Sequence, residues 1–488
     1  MIKSVFKIVL LLLLPFCGQS QTSINLDLSE VVRLAQSEAP DALLASTRLS
    51  NRNWFYQSFL SNYKPQIVFD ATLPEFNRSV DRVVLPDGVT FFNRTDLFNS
   101  AGITLSQNIA QTGTRIFAST ELQRLDVFTG PSEGKQYFST PIAVGFNQPI
   151  FGYNSLKWNK KIEPLRYEEA TKAYAEEMEN VAYRTVELFF NVFTQQLNVE
   201  AAIFTKSNAD TLFNISKGRF SVGKIAETEL LQIELSAMNA DANLAQAMLN
   251  LQSSTERLRN FLGITNPVQF SLTAPTELPE FTIDADNALQ YALQNRSQVI
   301  GYQRRLLEAE AEVAQAKAES GATINLSGSI GLNKTSKVFS DAYATPYDDY
   351  QRASLRLSVP IADWGAGKAR LKVAQSNQDL EKMSVEQERV NFEQEILLNV
   401  KQFDLIRNQV ALSKRAYDVG IKREDITRKR YYIGKIGITD LNIAIAEREN
   451  ARRNYIEALR AFWLAYYDIR RITLFDFEKG EPLIQEKD

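Results

Sequence analysis

Two stretches in the second half of the chain alternate apolar and small polar residues. In residues 324–332 the apolar side chains Ile324, Leu326 and Ile330 are separated by asparagine and serine, and residues 355–359 repeat the alternation with Leu355 and Leu357. A two-residue repeat is the period of a strand with one apolar face. The pattern therefore predicts strands within residues 323–361.

The first half carries the same pattern over a longer interval, residues 66–150, with Ile67 and Phe69 near its start and Val144 and Phe146 near its end. Between them, residues of about 100–128 contain two further alternating stretches joined by Gln-Thr-Gly-Thr, a sequence suited to a tight turn. The alternation leaves open whether this extra hairpin adds strands to the sheet or lies outside it. It also fits a soluble sandwich as well as a membrane barrel.

Very long helical segments follow the strands. From Ala366 to about Arg430 there is no proline, and at 1.5 Å per residue a helix of about 65 residues spans about 100 Å. Residues 155–217 form the equivalent segment of the first half, where Pro164 predicts a kink. Return helices at 227–262 and 439–471 complete two antiparallel hairpins, 155–262 and 366–471.

The sequence contains an internal repeat. The segment Arg-Phe-Ser-Val-Gly-Lys-Ile-Ala-Glu-Thr-Glu-Leu, from Arg219, matches Arg-Tyr-Tyr-Ile-Gly-Lys-Ile-Gly-Ile-Thr-Asp-Leu, from Arg430, at an offset of 211 residues. From Ala35 to Phe69 the offset is 257, so the first copy holds 46 additional residues, all between Phe69 and Pro149. We predict repeat 1 at 21–263, a proline-bearing linker at 264–283, repeat 2 at 284–473 and a tail at 474–488. Each repeat opens with a helix, which spans about 284–320 in the second.

The return helices carry apolar residues at steps of three and four, the seam of a coiled coil. In the first, the seam runs from Leu230 to Leu258, with an interruption at Ser254. In the second, Arg448 places a charge within the seam. An apolar seam of this kind usually lies in the core of a helical bundle, and only the length of this seam indicates a helical tube.

Residues 1–20 predict a cleaved secretory signal. Lys3 and Lys7 precede an apolar run that is about half as long as a spanning helix requires, and small residues follow it. The alternatives are an uncleaved membrane anchor and a lipoprotein modified at Cys17. An exported chain without later apolar spans is either periplasmic or a β-barrel.

Composition removes most enzymatic classes. The chain has no histidine and one cysteine, so zinc clusters and Ser-His or Cys-His nucleophiles are excluded. With 55 Lys and Arg against 58 Asp and Glu there is no excess of positive charge for nucleic acid. No Gly-rich phosphate loop or metal-ligand spacing occurs, and we therefore predict no catalytic residue, metal or cofactor.

The two repeats and their hairpin ends, which read Arg-aromatic-x-x-Gly-x-x-x-x-Thr-acidic-Leu, resemble the TolC-like outer-membrane efflux family over nearly the whole mature chain. The resemblance implies a mostly α fold with membrane β: a homotrimer whose strands form one transmembrane β-barrel, continued by a long α-helical periplasmic barrel. It implies a channel in outer-membrane lipid that serves an inner-membrane pump through a periplasmic adaptor. A soluble periplasmic coiled-coil scaffold is the alternative, and the cargo stays open.

The resemblance also assigns candidate residues at the hairpin ends. Glu229 and Tyr431 match an acidic and a tyrosine position that restrain the closed tip in the family, whereas the arginine position holds Ile436, next to Lys435, a possible substitute. Asp440 matches a position whose three copies ring the constriction. The alternative is a helix-capping role for the Thr and acidic residues. The predicted adaptor-contact residues are Gly223, Lys224, Thr228, Gly434 and Thr439.

Overall fold

The computed structural model describes residues 23–85, 88–129, 133–266, 269–275, 277–433, 435–436 and 438–484. The predicted signal at residues 1–20, with Cys17, lies outside them, as does the end of the predicted tail. In the described part, no helix is both long and apolar enough to cross a membrane. The described residues divide into two compact units: those within 1–48, 173–296 and 393–488 form the first, and those within 49–172 and 297–392 form the second.

In each copy, helices precede the strands of a sheet and a long helical hairpin follows them. The helices are α1 (Leu28–Glu38), α2 (Pro40–Ser61), α3 (Ser155–Ser221), α4 (Glu227–Phe261), α5 (Ala285–Asn295), α6 (Ser297–Glu319), α7 (Ala366–Tyr432) and α8 (Ile438–Thr473). The strands are β1 (Ser23–Asp27), β2 (Gln66–Leu85), β3 (Gly88–Ile109), β4 (Thr114–Thr129), β5 (Gly134–Ile150), β6 (Gln269–Thr273), β7 (Thr323–Ser336), β8 (Asp348–Ser358), β9 (Phe475–Asp476) and β10 (Glu481–Pro482).

The second unit contains one six-stranded sheet in the order β2-β3-β4-β5-β7-β8, with every neighbouring pair antiparallel. The extra hairpin of the first copy therefore lies within the sheet: β3 and β4 separate β2 from β5. Bulges interrupt the register between Thr72 and Glu75 and between Ser119 and Glu121. Among the described residues, β2 and β8 are the edges of this sheet.

Aromatic rings cover glycines inside the sheet. A Cβ on Gly145 would lie 2.5 Å from the ring of Phe117, and one on Gly328 would lie 2.8 Å from the ring of Phe146. These separations are below van der Waals contact, so only glycine admits the neighbouring ring at either position. The rings fill the space that the missing side chains leave and hold the pairing of β4, β5 and β7 in register.

The single helix predicted at the start of each repeat is wrong, because both are interrupted. In the first copy α1 ends at Ala39, whose ψ of 141° is extended, since Pro40 follows and disfavours helical backbone before it. In the second copy Arg296 has a ψ of 138° without a proline. Its guanidinium donates to the carbonyl of Arg471 at 3.1 Å and pairs with Glu176, which anchors the interruption.

The core of the first unit is aromatic. Phe189 and Phe190 on α3 are fully buried, and Phe403 of α7 lies 5.4 Å from Phe462 of α8, ring centre to ring centre. Phe281, from the connection between the copies, stacks on Phe403 at 5.5 Å. In the same unit β1 pairs in parallel with β6. The predicted linker at 264–283 therefore contains a strand and contributes a ring to this core.

Candidate functional site

The register of the six-stranded sheet places a predominantly apolar band on one face, which also includes Gln107, Thr120, Gln148 and Gln351. Ile67 pairs with Leu105, and the same row continues through Ala118, Val144 and Ile330. Because cross-strand partners share a face, the neighbouring rows on this face follow from the alternation. The band also includes Phe69, Ala71, Ala101, Ile103, Ile116, Leu122, Phe146, Ile324, Leu326, Leu355 and Leu357.

The opposite face is mostly polar over the same rows, with Val68, Phe117 and Ala143 as its apolar members. Ser106, Ser329 and Arg352 lie in one row across three strands, and Thr104 pairs with Ser119 in the next. This face also carries Gln66, Asp70, Glu121, Asn147, Ser327, Ser354 and Arg356. Alternation along each strand thus produces two chemically distinct surfaces, as a wall between lipid and water requires.

The apolar band is exposed in the chain by itself. Ile67 is 73% exposed, Phe69 66% and Leu355 65%. A contiguous apolar surface of this kind is unfavourable in water and stable against hydrocarbon. The sequence left a soluble sandwich open, but no second sheet packs on this band within the described residues of the unit.

Exposed aromatic residues occur beyond both ends of the band. Phe151 and Trp364, at the junctions between strands and long helices, are 74% and 98% exposed. Both have positive φ, 62° and 54°, so the chain turns sharply where each strand leads into its helix. Phe91 and Phe128 are exposed near the opposite ends of their strands. Aromatic side chains in these places are typical of the two interfaces of a membrane.

The first helical hairpin ends in a tight turn at Gly223. This glycine has a φ of 73°, and its amide donates to the carbonyl of Phe220 at 2.9 Å. The amide of Lys224 donates to Arg219, five residues earlier, also at 2.9 Å. These bonds satisfy the last carbonyls of α3 and define a Schellman motif, which favours glycine because the left-handed conformation strains other residues.

The second hairpin repeats this end. The amide of Lys435 donates to the carbonyl of Arg430 at 3.0 Å, the bond equivalent to that of Lys224 at the offset of 211. Lys435 is exposed and Ile436 is partly exposed. Gly434 lies outside the described residues. The repeated backbone bond shows that the sequence repeat encodes the same turn geometry twice.

Both acidic candidates lie in the first turn of a return helix. Glu229 is exposed in α4 and Asp440 is exposed in α8. The capping alternative is wrong for Thr228, because the N-cap of α4 is Ala226, which provides no side-chain bond. Thr439 is likewise inside α8, and its side chain lies outside the described part, as does that of Tyr431. The restraint between Glu229 and Tyr431 stays a prediction.

An ion-pair cluster, which sequence reasoning missed, joins the arms of the second hairpin. Arg448 donates to Glu424 at 2.6 Å and also to Glu449, while Arg428 contacts the other oxygen of Glu424. The Glu424 side chain is only 5% exposed. Arg452 pairs with Glu449 at 2.8 Å and extends the cluster along α8. The attraction between the Glu424 carboxylate and the two guanidiniums offsets the free-energy cost of burying the carboxylate.

The charge of Arg448 in an apolar seam was the signal for this cluster. Glu424 and Arg448 each lie 12 residues from Ile436, on opposite arms of the hairpin, so antiparallel pairing brings them together. At the offset of 211 the first hairpin holds Phe213 and Ala237 instead. Only the second hairpin therefore has a buried ion pair at this distance from its turn.

A second buried cluster lies at the other end of α8. Arg470 donates to Glu179 at 2.9 Å and to Asp476 at 2.7 Å, and the two carboxylate side chains are 6% and 1% exposed. Burial opposes the charge of Arg470, but its interactions with Glu179 and with Tyr466 outweigh burial and raise its pKa. Burial also raises the pKa of the adjacent Tyr467 to about 12. The cluster fastens the segment after α8 to the helical core.

In the second unit, Arg305 of α6 joins α7. Its guanidinium donates to Glu388 at 2.7 Å and also contacts Glu381. The hydrogen bonds from Arg305 lower the pKa of Glu388, against a smaller opposing effect of burial. No group of three or more acidic, histidine or cysteine side chains is arranged for a metal ion in the part of the chain that the structure describes.

Comparison with known proteins agrees with this geometry. Toxin and drug export protein A of Aggregatibacter actinomycetemcomitans is 22% identical over 319 residues, which cover 62% of this chain and 69% of that protein. TolC of Salmonella enteritidis is 26% identical over 216 residues, 42% of each protein. The match therefore spans less than half the length of this TolC.

Solved structures show the same fold. The CmeC outer membrane channel of Campylobacter jejuni superimposes with a TM-score of 0.67 at 17% identity, covering 93% of this chain and 87% of the channel. The family model described as "Outer membrane efflux protein" matches residues 115–264 and 288–473, one stretch in each repeat. The chain belongs to the outer membrane efflux protein family and has the TolC-like fold of outer-membrane channels.

Proposed function

We propose that three copies of this chain form a channel that conducts substrate passively from an inner-membrane pump through the periplasm and the outer membrane. The observation that carries the proposal is the two-faced sheet: an exposed apolar band on one side and a polar face on the other, on the same chain as two long helical hairpins. The sheet supplies the wall within the lipid, and the helices supply the duct.

The edges of the sheet support assembly of several copies. Strands β2 and β8 have no partner on their outer sides among the described residues. Unpaired backbone amides and carbonyls are costly in hydrocarbon, so a membrane sheet is stable only when it closes. Association of identical chains closes it without any additional protein.

The hairpin ends are the proposed gate and contact surface. Glu229, Tyr431 and Lys435 restrain the closed end, and Asp440 from three copies forms a ring of carboxylates. The exposed residues Gly223, Lys224 and Thr228, with Gly434 and Thr439, meet a periplasmic adaptor. The name of the export protein from Aggregatibacter supports toxins or drugs as cargo, and the transported substrate is selected by the pump.

The channel acts without catalysis in this proposal. The solved structures it resembles are outer-membrane channels, and a duct needs an opening end and a path for diffusion but no bond-making step. The alternative, a soluble periplasmic scaffold, would leave the apolar band in water, where it is unfavourable.

Membrane fractionation and planar-bilayer recording test the proposal. We expect the protein in the outer-membrane fraction as a trimer, and discrete conductance steps after its addition to a bilayer. Recovery as a monomer from the soluble fraction would contradict both the channel and the trimer. Purified trimers that insert but give no current, with the hairpin ends truncated to open any gate, would contradict conduction alone.

A further inference from the structure

The six-stranded sheet indicates how many strands each chain supplies to the proposed barrel. All six strands cross the level of the apolar band. The row that begins at Ile67 passes through Leu105 and Ala118 before it reaches Val144 and Ile330. The inserted strands β3 and β4 thus carry the band between β2 and β5, as wall strands do.

The insertion does not behave as an external decoration. Ile103 and Leu105 on β3, and Ile116 on β4, continue the exposed apolar face of their neighbours at 46%, 42% and 41% exposure. On the other face, Thr104 and Ser119 continue the polar surface. A hairpin placed above the membrane or inside a lumen would not reproduce both faces of the strands on either side of it.

The two edges of the sheet are complementary. β2 runs antiparallel to β3, and successive antiparallel pairings make β8 run opposite to β2. The directions of β8 in one chain and β2 in the next therefore fit an antiparallel ladder. A closed ring with an even number of strands per chain preserves this alternation for any number of copies.

The charged side chains of the two edge strands also favour a second copy of this chain as the partner. On the polar face, β8 presents Arg352 and Arg356, and β2 presents Asp70 and Glu75; all four are exposed. None of them forms an ion pair in the described part of the chain. Opposite charges on the same face of adjacent strands stabilise pairing. A second copy of this chain supplies, on the same face of its β2 edge, two carboxylates that match the two arginines of β8 in number and are opposite in charge.

We propose that the trimer closes an 18-stranded barrel across three β8–β2 seams, with Arg352 and Arg356 facing Asp70 and Glu75 on the lumen side. This inference rests on the trimer proposed above. Strands about 4.8 Å apart and tilted by about 40° give a backbone cylinder about 36 Å across for 18 strands, against about 24 Å for 12. Barrels of 16 to 18 strands enclose an aqueous channel.

Cryo-electron microscopy of the trimer in lipid nanodiscs tests the strand number directly. We expect 18 strands in the membrane cross-section and β8 beside β2 of the neighbouring chain. A trimer with 12 strands, or with β3 and β4 outside the ring, would overturn the inference and leave the proposed channel intact. A protein that is not a trimer would overturn both.

A shortened chain provides a matched comparison. Replacing residues 78–133 by Asn-Gly joins β2 directly to β5 in an antiparallel hairpin and leaves four strands per chain. We expect its barrel to narrow by about one third, as the change from 18 to 12 strands requires. An unchanged diameter would show that β3 and β4 are not wall strands.

Charge exchange tests the seam in the full-length chain. Arg352→Glu with Arg356→Glu places four carboxylates together at each seam, and Asp70→Lys with Glu75→Lys places four cations there. We expect each pair of substitutions to lower the yield of SDS-resistant trimer severalfold, and the four together to restore it. Loss with either pair and no recovery with all four, in a protein that still reaches the membrane, would overturn the proposed seam.

Discussion

Arg448 and Glu424 join the two arms of the second helical hairpin through a contact of 2.6 Å between Nη1 and Oε2. The Glu424 side chain is nearly inaccessible, and Glu424→Gln removes the carboxylate that joins the two arms, while Arg448 keeps its contact with Glu449 on its own helix. Because Arg448 stays paired and is 22% exposed, we expect a cost of about 2 kcal/mol, as for the loss of a hydrogen bond between charged groups. A lower apparent melting temperature of the detergent-purified protein is the measurement.

Two control variants accompany this prediction. Asp425→Asn removes the neighbouring carboxylate, whose partner Lys429 is exposed on the same helix, and we expect little change. Glu424→Phe with Arg448→Ala copies the pair Phe213 and Ala237 of the first hairpin, and we expect most of the stability to return. A melting temperature unchanged in Glu424→Gln would show that the cluster contributes nothing.

Arg470 is expected to be the most sensitive charge in the first unit. Arg470→Met leaves Glu179 and Asp476 buried without a cation, at a cost of about 3 to 5 kcal/mol. We expect a lower melting temperature and faster proteolysis of the segment after Thr473. Arg471→Met is the control, because Arg471 pairs with Asp468 within the same helix. Equal protease resistance of both variants would contradict the fastening role of Arg470.

The contact between Arg305 and Glu388 predicts a dependence on pH. The pKa of Glu388 is lower in the folded protein than in the unfolded chain, so its contribution to stability is complete at neutral pH. It is lost as the pH falls through the lowered pKa. We expect Glu388→Gln to melt at a lower temperature than the wild type at pH 7, and the difference to disappear in strong acid.

Glu386→Gln is the control for this pH dependence. The pKa of Glu386 is also lowered, by Arg389, but that partner is on the same helix and not on a neighbouring one. Its substitution is expected to shift the melting temperature little at any pH. A difference between wild type and Glu388→Gln that stays constant from pH 7 into acid would refute a charge-dependent contact.

The gate prediction is tested at the hairpin ends. If Glu229 and Tyr431 restrain the closed end, replacing both with Ala raises single-channel conductance in planar bilayers severalfold. Glu227→Ala, which removes an acidic residue from the same turn of α4, is expected to leave conductance unchanged. Unchanged conductance in the Glu229 and Tyr431 variant would leave these residues without a role in the gate.

Asp440 is expected to govern ion selectivity. Three exposed carboxylates around a narrow opening attract cations by their summed potential, so Asp440→Asn is expected to reduce cation selectivity, measured as the reversal potential in a potassium chloride gradient. Asp425→Asn removes the same charge elsewhere on the hairpin and is the control. A reversal potential that does not move in Asp440→Asn would place this residue away from the constriction.

Much of the architecture follows from local patterns. The internal offset of 211 residues predicted two hairpins, and both end in the same backbone bond, at Lys224 and at Lys435. Period two predicted the strands on either side of the insertion, and the apolar residues of both copies share one face of the sheet. The interruption at Ala39 was also readable, since Pro40 follows it.

Other features depended on contacts between distant segments. No local pattern distinguishes Arg296, which ends α5 because it binds Glu176 and the carbonyl of Arg471. The position of β3 and β4 inside the sheet follows from their pairing with β2 and β5. Alternation shows that a hairpin has two faces but not which strands it pairs with.

The order of residues was sufficient to predict the repeat and the kinds of element, because periodicity is a property of residues close together in the chain, and composition was sufficient to exclude histidine chemistry. Tertiary structure alone decided which charges are buried together and how many strands one chain supplies. Arg470 and Glu179 are 291 residues apart in the chain, and their contact arises only when α3 and α8 pack. Whether such a charge is buried depends on the side chains packed around it. Those neighbours come from distant parts of the chain and cannot be read from the local sequence.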